Sequence, residues 1–318
     1  MPAGTRPVPP AVPSSGPLGD PQRLHTRDDV TLAVWRWPQL PGRPALHWAH
    51  ATGFHARTYT PLLDELAQFA NVSAWDMRGH GRSIAPLGSF HGWSTYYDDL
   101  CDLLQASEEP LWLAGHSVGA TVSLMAASRF PHKVHGLLLV EPVLIGRWEG
   151  LKMALAKHLR RAHRTVYAAG AARRRNQFST RQEALQRYLG RGAFATWPAA
   201  WVEAYVAHAF MEDDVGVRLV CTPEWESTSF AATEHHPWPA VRKVRCPIIA
   251  LGGESNSTFP MSSRRLLHRL LPQARIESVV GTTHFVPMER TDLVVKAARQ
   301  LLGINASGDD DRHAHSAS

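Results

Sequence analysis

The chain has 318 residues, 44% of them hydrophobic and 19% charged. That suits one or two globular domains with a real core, and it excludes a wholly disordered chain or a small disulfide-stapled scaffold. A net charge of +6, from 34 Lys/Arg against 28 Asp/Glu, is modest for the length and gives no reason to expect a nucleic-acid partner.

In chain order, residues 1–20 are rich in Pro, Gly and Ser and read as a flexible arm, without the apolar stretch of a signal peptide. Short apolar runs at 46–50, 72–76, 111–116, 134–141 and 247–251, with a more mixed one at 275–280, are expected strands. Helical patterns fall between them, at 61–69, 95–105, 118–130, 262–271 and 291–302. Pro61 suits a first helical position, and Gly303 suits a C-terminal cap. The alternation predicts an α/β fold, and near-continuous apolar strands suit a mostly parallel sheet covered by helices on both faces. Residues 21–144 and 237–302 form this expected core.

Residues 145–236 break the rhythm and read as helices in succession with no convincing strand, a helical cap inserted into the core. Leu151, Leu155, Leu159, Ala162 and Val166 recur at near-helical spacing, as do Trp197, Trp201 and Tyr205. Both stripes are expected to pack between cap and sheet, with an inner edge that could line an apolar acyl pocket. Residues 150–191 hold eleven Lys/Arg and one acid, whereas 193–238 hold seven acids and one Arg. The two halves are expected to pair or to form solvated faces; the alternative is a basic lip that draws in an anionic partner. Residues 303–318 are polar and read as a disordered tail.

The longest near-apolar run, 136–146, is interrupted by Glu141 and is shorter than the ~20 residues a membrane-spanning helix needs. Cys101, Cys221 and Cys246 share no close spacing. This argues against a disulfide framework or a Cys-rich zinc site and fits a reducing, cytoplasmic setting. No glycine-rich dinucleotide or phosphate loop is present, so no cofactor and no metal are expected.

The chemistry concentrates in residues 111–130. A predicted strand runs into Gly115-His116-Ser117-Val118-Gly119, and a predicted helix follows. G-x-S-x-G in this context describes a turn so sharp that side chains flanking the serine would collide. It exposes a hydroxyl at a helix N-terminus, with the Val118 N–H aimed at a developing negative charge.

Four features then appear in a fixed order: His50-Ala51-Thr52-Gly53-Phe54, Asp76-Met77-Arg78-Gly79-His80-Gly81-Arg82-Ser83, the Ser117 turn, and Gly281-Thr282-Thr283-His284-Phe285. In these the chain resembles the α/β-hydrolase superfamily over residues 24–302. The resemblance implies a helical lid inserted after the sixth core strand, Ser117 as nucleophile and His284 as base. An imidazole suits the second role because its pKa lies near neutrality. On the same alignment Thr52 and Val118 supply the oxyanion N–H groups, with Phe54 as the runner-up to Thr52. His50, His116 and the 76–83 segment read as structural.

The position that usually carries the acid, after strand 247–251, holds Asn256, whose neutral amide cannot stabilise an imidazolium. Glu254 lies nearby in the wrong register. Glu141 ends the apolar run 134–140 and matches the place where some haloalkane dehalogenases carry a Glu. It is the expected acid; Glu254 and an incomplete triad are the alternatives. The activity implied is a serine hydrolase acting on an ester, lactone or thioester small molecule. Acyl transfer, perhydrolysis, C–C hydrolysis and a non-catalytic ligand-binding role on the same scaffold stay open. The Asp-nucleophile chemistry of dehalogenases and epoxide hydrolases is disfavoured by Ser117.

Overall fold

The computed structural model describes residues 16–146, 150–152, 155, 158–159, 165–233 and 236–304. The expected arm and tail lie outside these apart from residues 16–20 and 303–304, and Ala162 lies outside them as well.

In chain order the strands are β1 (Gln22–His25), β2 (Thr31–Arg36), β3 (Ala45–Ala49), β4 (Asn71–Asp76), β5 (Leu111–His116), β6 (Val134–Val140), β7 (Gln177–Phe178), β8 (Phe210–Asp213), β9 (Gly216–Leu219), β10 (Ile248–Gly253) and β11 (Arg275–Val279). Eight of them form one sheet in the spatial order β1-β2-β4-β3-β5-β6-β10-β11. The six strands from β4 to β11 in that order run parallel, and β1 and β2 add an antiparallel edge. All six expected strands are present to within two residues at each end. The hairpin β1–β2 goes beyond them. β1 is largely exposed and has no apolar run, whereas the Leu-Ala-Val-Trp run of β2 is buried and does carry a readable signal.

The central strands are buried on both faces, as parallel strands under crossover helices must be. Trp48 and Trp75, among the largest fully buried side chains, are completely inaccessible. Each fully buried Val or Leu of these strands contributes roughly 1.5–3 kcal/mol through apolar area withdrawn from water. Helix α1 (Thr60–Leu66) starts with Pro61 in its first turn, where a missing N–H costs nothing. Helices α2 (Trp93–Ala106) and α3 (Val118–Arg129) follow, and two amphipathic helices, Met261–Leu270 and Thr291–Leu301, flank β11 in the chain. Gly303, just past the last of these, has φ 68°, the left-handed conformation of a C-terminal cap.

Register places the functional loops together. Ala49 pairs with Gly115, His116 with Val140, Val140 with Leu251, and Gly253 with Val279. The loops that follow β3, β5, β6, β10 and β11 therefore emerge at one edge of the sheet, the end where open parallel sheets carry their sites.

Between β6 and β10 the structure corrects the expectation of helices alone. Strands β7, β8 and β9 form a separate antiparallel sheet in the order β7-β9-β8. β8 and β9 are four residues each, joined across Asp214 and Val215, the shortest length at which a two-residue period reads as a strand. Helices Val166–Ala172, Arg181–Tyr188, Ala199–His208 and Pro223–Ala231 accompany them. Trp197, Trp201 and Tyr205 are buried, as their spacing implies. The other stripe is not: Leu151, Leu155, Leu159 and Val166 are all exposed, Val166 by 85%. The lopsided charges do pair across the two halves, in Arg174–Glu226 at 2.9 Å and Arg181–Glu212 at 2.8 Å.

Candidate active site

Ser117 sits between β5 and α3 with φ 58° and ψ −120°, a conformation that L-residues seldom adopt. The surroundings enforce it. Ser117 N–H donates to Val140 O (3.0 Å), and its carbonyl accepts from Thr121 N–H (3.1 Å). A Cβ at Gly119 would lie 2.1 Å from Ala49 O, and one at Gly115 would lie 2.6 Å from the Gly119 carbonyl carbon. The two glycines are what let α3 start against the end of β3. The turn leaves Ser117 barely accessible, at 9%. Among the described residues no hydrogen bond joins Ser117 Oγ to His284; such contacts are often long before substrate binds.

Val118 N–H and Thr52 N–H have no acceptor among the described residues. Their neighbours are engaged: Gly53 N–H donates to His80 Nε2 (3.1 Å) and Phe54 N–H to Ala51 O (3.2 Å). Phe54, the runner-up, thus has no free donor. The loop is held by two buried neutral imidazoles. His50 Nδ1–H donates to Ala51 O (2.8 Å) while its Nε2 accepts from Met77 N–H (2.8 Å). His80 accepts from Gly53 through Nε2 and donates through Nδ1–H to Arg78 O (3.1 Å). Burial drives both histidines down, His80 to about 4, so each keeps the single proton its bonds require.

Glu141 follows β6 with φ 51° and is fully buried. Its carboxylate accepts from the Gly253 N–H, the Ser257 hydroxyl (2.6 Å), the Thr258 N–H (2.8 Å) and His284 Nδ1 (3.0 Å). Burial alone would raise its pKa. The His284 hydrogen bond and charge, with the donors from Ser257 and Gly253, outweigh that and hold it below the usual carboxylate range. Thr258 Oγ1 donates to Glu141 O (2.8 Å) and lies 3.2 Å from His284 Nδ1. Arg264 backs the cradle: it donates to Gly253 O (2.6 Å) and Ser257 Oγ (3.2 Å) and stands 3.9 Å from the Glu141 carboxylate.

The two other acid positions are elsewhere. Glu254 is exposed, and its carboxylate accepts from Gly281 N–H (2.8 Å) at the base of the His284 loop, not from the imidazole. Asn256 is exposed, in a left-handed conformation. The loop after β10 supplies hydrogen-bond donors to a carboxylate from β6. Nothing local in the sequence marks Ser257, Thr258 or Arg264 for this. The one signal is Asn256 itself, since a loop without its acid leaves its donors to serve another.

The segment between β6 and β10 packs over this edge. Trp197 lies edge-on to Phe54 (5.2 Å between ring centroids) and to Phe285 (5.5 Å), and Thr52 Oγ1 meets Ser229 Oγ at 3.2 Å. Among the described residues no group of three or more His, Cys, Asp or Glu could hold a metal ion, and no helix is long and apolar enough to cross a membrane.

A mostly parallel sheet with a serine on a strained strand-to-helix turn, and a histidine and a carboxylate on neighbouring loops, defines an α/β hydrolase. The chain belongs to the hydrolase family described as serine aminopeptidase, S33, which it matches over residues 41–290. It is 23% identical over 260 residues to 2-(acetamidomethylene)succinate hydrolase of Mesorhizobium japonicum, covering 81% of this chain and 88% of that one. Against the monoglyceride lipase of Rattus norvegicus it is 29% identical over 161 residues, 46% of this chain and about half (52%) of the lipase. Among solved structures, that of E-2-(acetamidomethylene)succinate hydrolase superposes with a TM-score of 0.72 at 22% identity, covering 89% of this chain and 98% of that one. The thioesterase domain from the curacin biosynthetic pathway gives 0.69 at 18%, covering 87% and 98%. At these identities the structural likeness speaks to the fold alone.

Proposed function

We propose that the protein is a serine hydrolase that cleaves an ester-like bond in a small molecule, a carboxylic ester, lactone or thioester. In this reading Ser117 Oγ attacks the carbonyl carbon while His284 Nε2 takes its proton. The negative charge that develops on the carbonyl oxygen is met by the Thr52 and Val118 N–H groups. His284 returns the proton to the leaving group, water enters by the same route, and the acid is released. Glu141 keeps the Nδ1 proton in place and stabilises the imidazolium. The observation that carries the reading is the 3.0 Å contact between His284 Nδ1 and a Glu141 carboxylate held ionised by three further donors. Such an arrangement is expensive in a buried site unless the charge is used or fully paired.

Phe54, Trp197 and Phe285 beside His284 favour an apolar acyl group. The segment 145–236 acts as the cap over it. Three unpaired cysteines suit a reducing, cytoplasmic location. The name of one relative, a monoglyceride lipase, supports ester-type substrates. The test is turnover of p-nitrophenyl esters of graded chain length beside a thioester and a lactone. Turnover of at least one class that Ser117→Ala abolishes is expected. A folded wild type that binds such compounds in calorimetry without turning any over would favour the ligand-binding alternative.

A further inference from the structure

Two buried side chains outside the Ser117–His284–Glu141 set connect three parts of the site. Ala51 N–H donates to the Tyr59 oxygen (3.2 Å), Tyr59 O–H donates to His116 Nδ1 (2.7 Å), and His116 Nε2–H donates to the His284 carbonyl (2.8 Å). The directions are forced. A carbonyl only accepts, so the proton of His116 is on Nε2, and Nδ1 must then accept the Tyr59 hydrogen. The remaining lone pairs of the Tyr59 oxygen are left for Ala51. This needs a neutral imidazole and a neutral phenol. Burial, followed by the neighbouring His284, drives His116 far below its ordinary pKa, and burial lifts that of Tyr59. Both side chains are wholly inaccessible, so no water can replace a lost partner.

Three of the residues joined in this way matter because of what adjoins them. Ala51 precedes Thr52, His116 precedes Ser117, and the accepted carbonyl belongs to His284 itself. We propose that Tyr59 and His116 are positioning residues, a buried relay that fixes the oxyanion loop and the His284 loop relative to each other across the nucleophile strand. The proposal rests on the serine-hydrolase reading for its functional meaning, though its geometry does not. Backbone ladders cannot do this work: beyond Ala49 and His116 the strand pairing has ended, and the two loops leave the sheet separately. The relay also reaches the segment above, because Tyr59 packs edge-on against Trp201 at 6.0 Å.

The variants are Tyr59→Phe, which keeps the ring and removes the hydroxyl, His116→Leu, which removes both ring nitrogens, and His116→Gln, which can retain an N–H towards the His284 carbonyl. Each full-length protein is read by the rate and stoichiometry of fluorophosphonate labelling, and by the imidazole ¹⁵N resonances of His284. Tyr59→Phe and His116→Leu are expected to label to full stoichiometry but roughly ten- to a hundredfold slower, the range that a misplaced catalytic group costs. His116→Gln should recover part of the rate lost in His116→Leu. The His284 resonances should move in Tyr59→Phe, although the hydroxyl does not touch that ring. Labelling of Tyr59→Phe at the wild-type rate overturns the relay, whether of all molecules or of a reduced folded fraction. So do unmoved His284 resonances. If the wild type does not label while the His284 resonances still respond to Tyr59→Phe, the hydrolase reading fails and the relay stands.

Discussion

Glu141→Gln replaces one oxygen of the buried carboxylate by an NH₂ group at nearly constant volume. In the wild type the two oxygens accept from Gly253 N–H, Ser257 O–H, Thr258 N–H and His284 Nδ1. An amide has one oxygen for these donors. Its NH₂ must then face either the 253/257 side or the 258/284 side. On the first it opposes the Gly253 N–H, which cannot reverse; on the second it opposes Thr258 N–H and forces the His284 proton from Nδ1 to Nε2. That tautomer cannot accept the Ser117 proton. Loss of the carboxylate with retention of shape costs about 10⁴ in kcat in such triads, or about 5.5 kcal/mol of transition-state stabilisation. The assay is kcat for the best p-nitrophenyl ester, with the unfolding midpoint measured alongside to exclude a loss of folded protein. KM should change little. A kcat within tenfold of wild type in a folded variant would refute Glu141 as the acid. A large loss in Glu254→Gln instead would transfer the role to the loop after β10.

Ser257→Ala removes a 2.6 Å hydroxyl donor to the Glu141 carboxylate and should lower kcat by about tenfold and stability by about 1–3 kcal/mol, read by steady-state kinetics and urea unfolding; unchanged kcat would show that Gly253 and Thr258 suffice. His47, His50, His55, His80 and His116 are buried and held neutral, His47 and His55 down to about 3, with burial the leading cause. Their folded pKa values lie below the unfolded value near 6.5. Below that pH the unfolded chain binds protons that the native state refuses, and stability falls with acidification by up to about 1.4 kcal/mol per pH unit for each histidine. Calorimetry in buffers of different ionisation heat should find these five contributing an uptake of about five protons on unfolding at pH 5, and each His→Gln variant should lower the uptake by about one; uptake unaffected by those substitutions would contradict their buried, neutral state. Glu141 works in the same direction at lower pH. Its folded pKa is depressed, so its contribution is present above the unfolded carboxyl pKa and is lost as pH falls through the folded one. In Glu141→Gln the stability curve should therefore flatten on its acid side.

The parts of this fold that can be read in the sequence are those where one residue type has one physical reason to be present. Apolar runs ended by polar residues mark parallel strands buried on both faces, and all six so marked are strands. Gly115 and Gly119 mark a turn that a Cβ would close. Glu141, an acid at the end of the most apolar run, can be singled out because a lone carboxylate there is costly, and it does face His284. What cannot be read depends on partners distant in sequence. The hydroxyls of Ser257 and Thr258 look like any loop polar residues until β6 and β10 are neighbours. Tyr59 and His116 are separated by 57 positions, and nothing local tells a bonded buried phenol from a packed one. The three strands between β6 and β10, of two, four and four residues, are at or below the shortest length at which a two-residue period is legible. The leucine stripe at 151, 155 and 159 misleads because periodicity reports a common helix face without saying which side it turns to the core.

Everything in the proposed mechanism depends on Ser117 being an activated nucleophile served by His284 and Glu141. Fluorophosphonate labelling tests this without a known substrate, because the probe reacts covalently with a serine only where a base and an oxyanion site already exist, and the modified peptide identifies the residue by mass. Rapid labelling is expected at one site, Ser117, abolished in Ser117→Ala and slowed strongly in both His284→Ala and Glu141→Gln. A folded wild type that stays unlabelled, or a Glu141→Gln protein that labels at full rate, would contradict the mechanism.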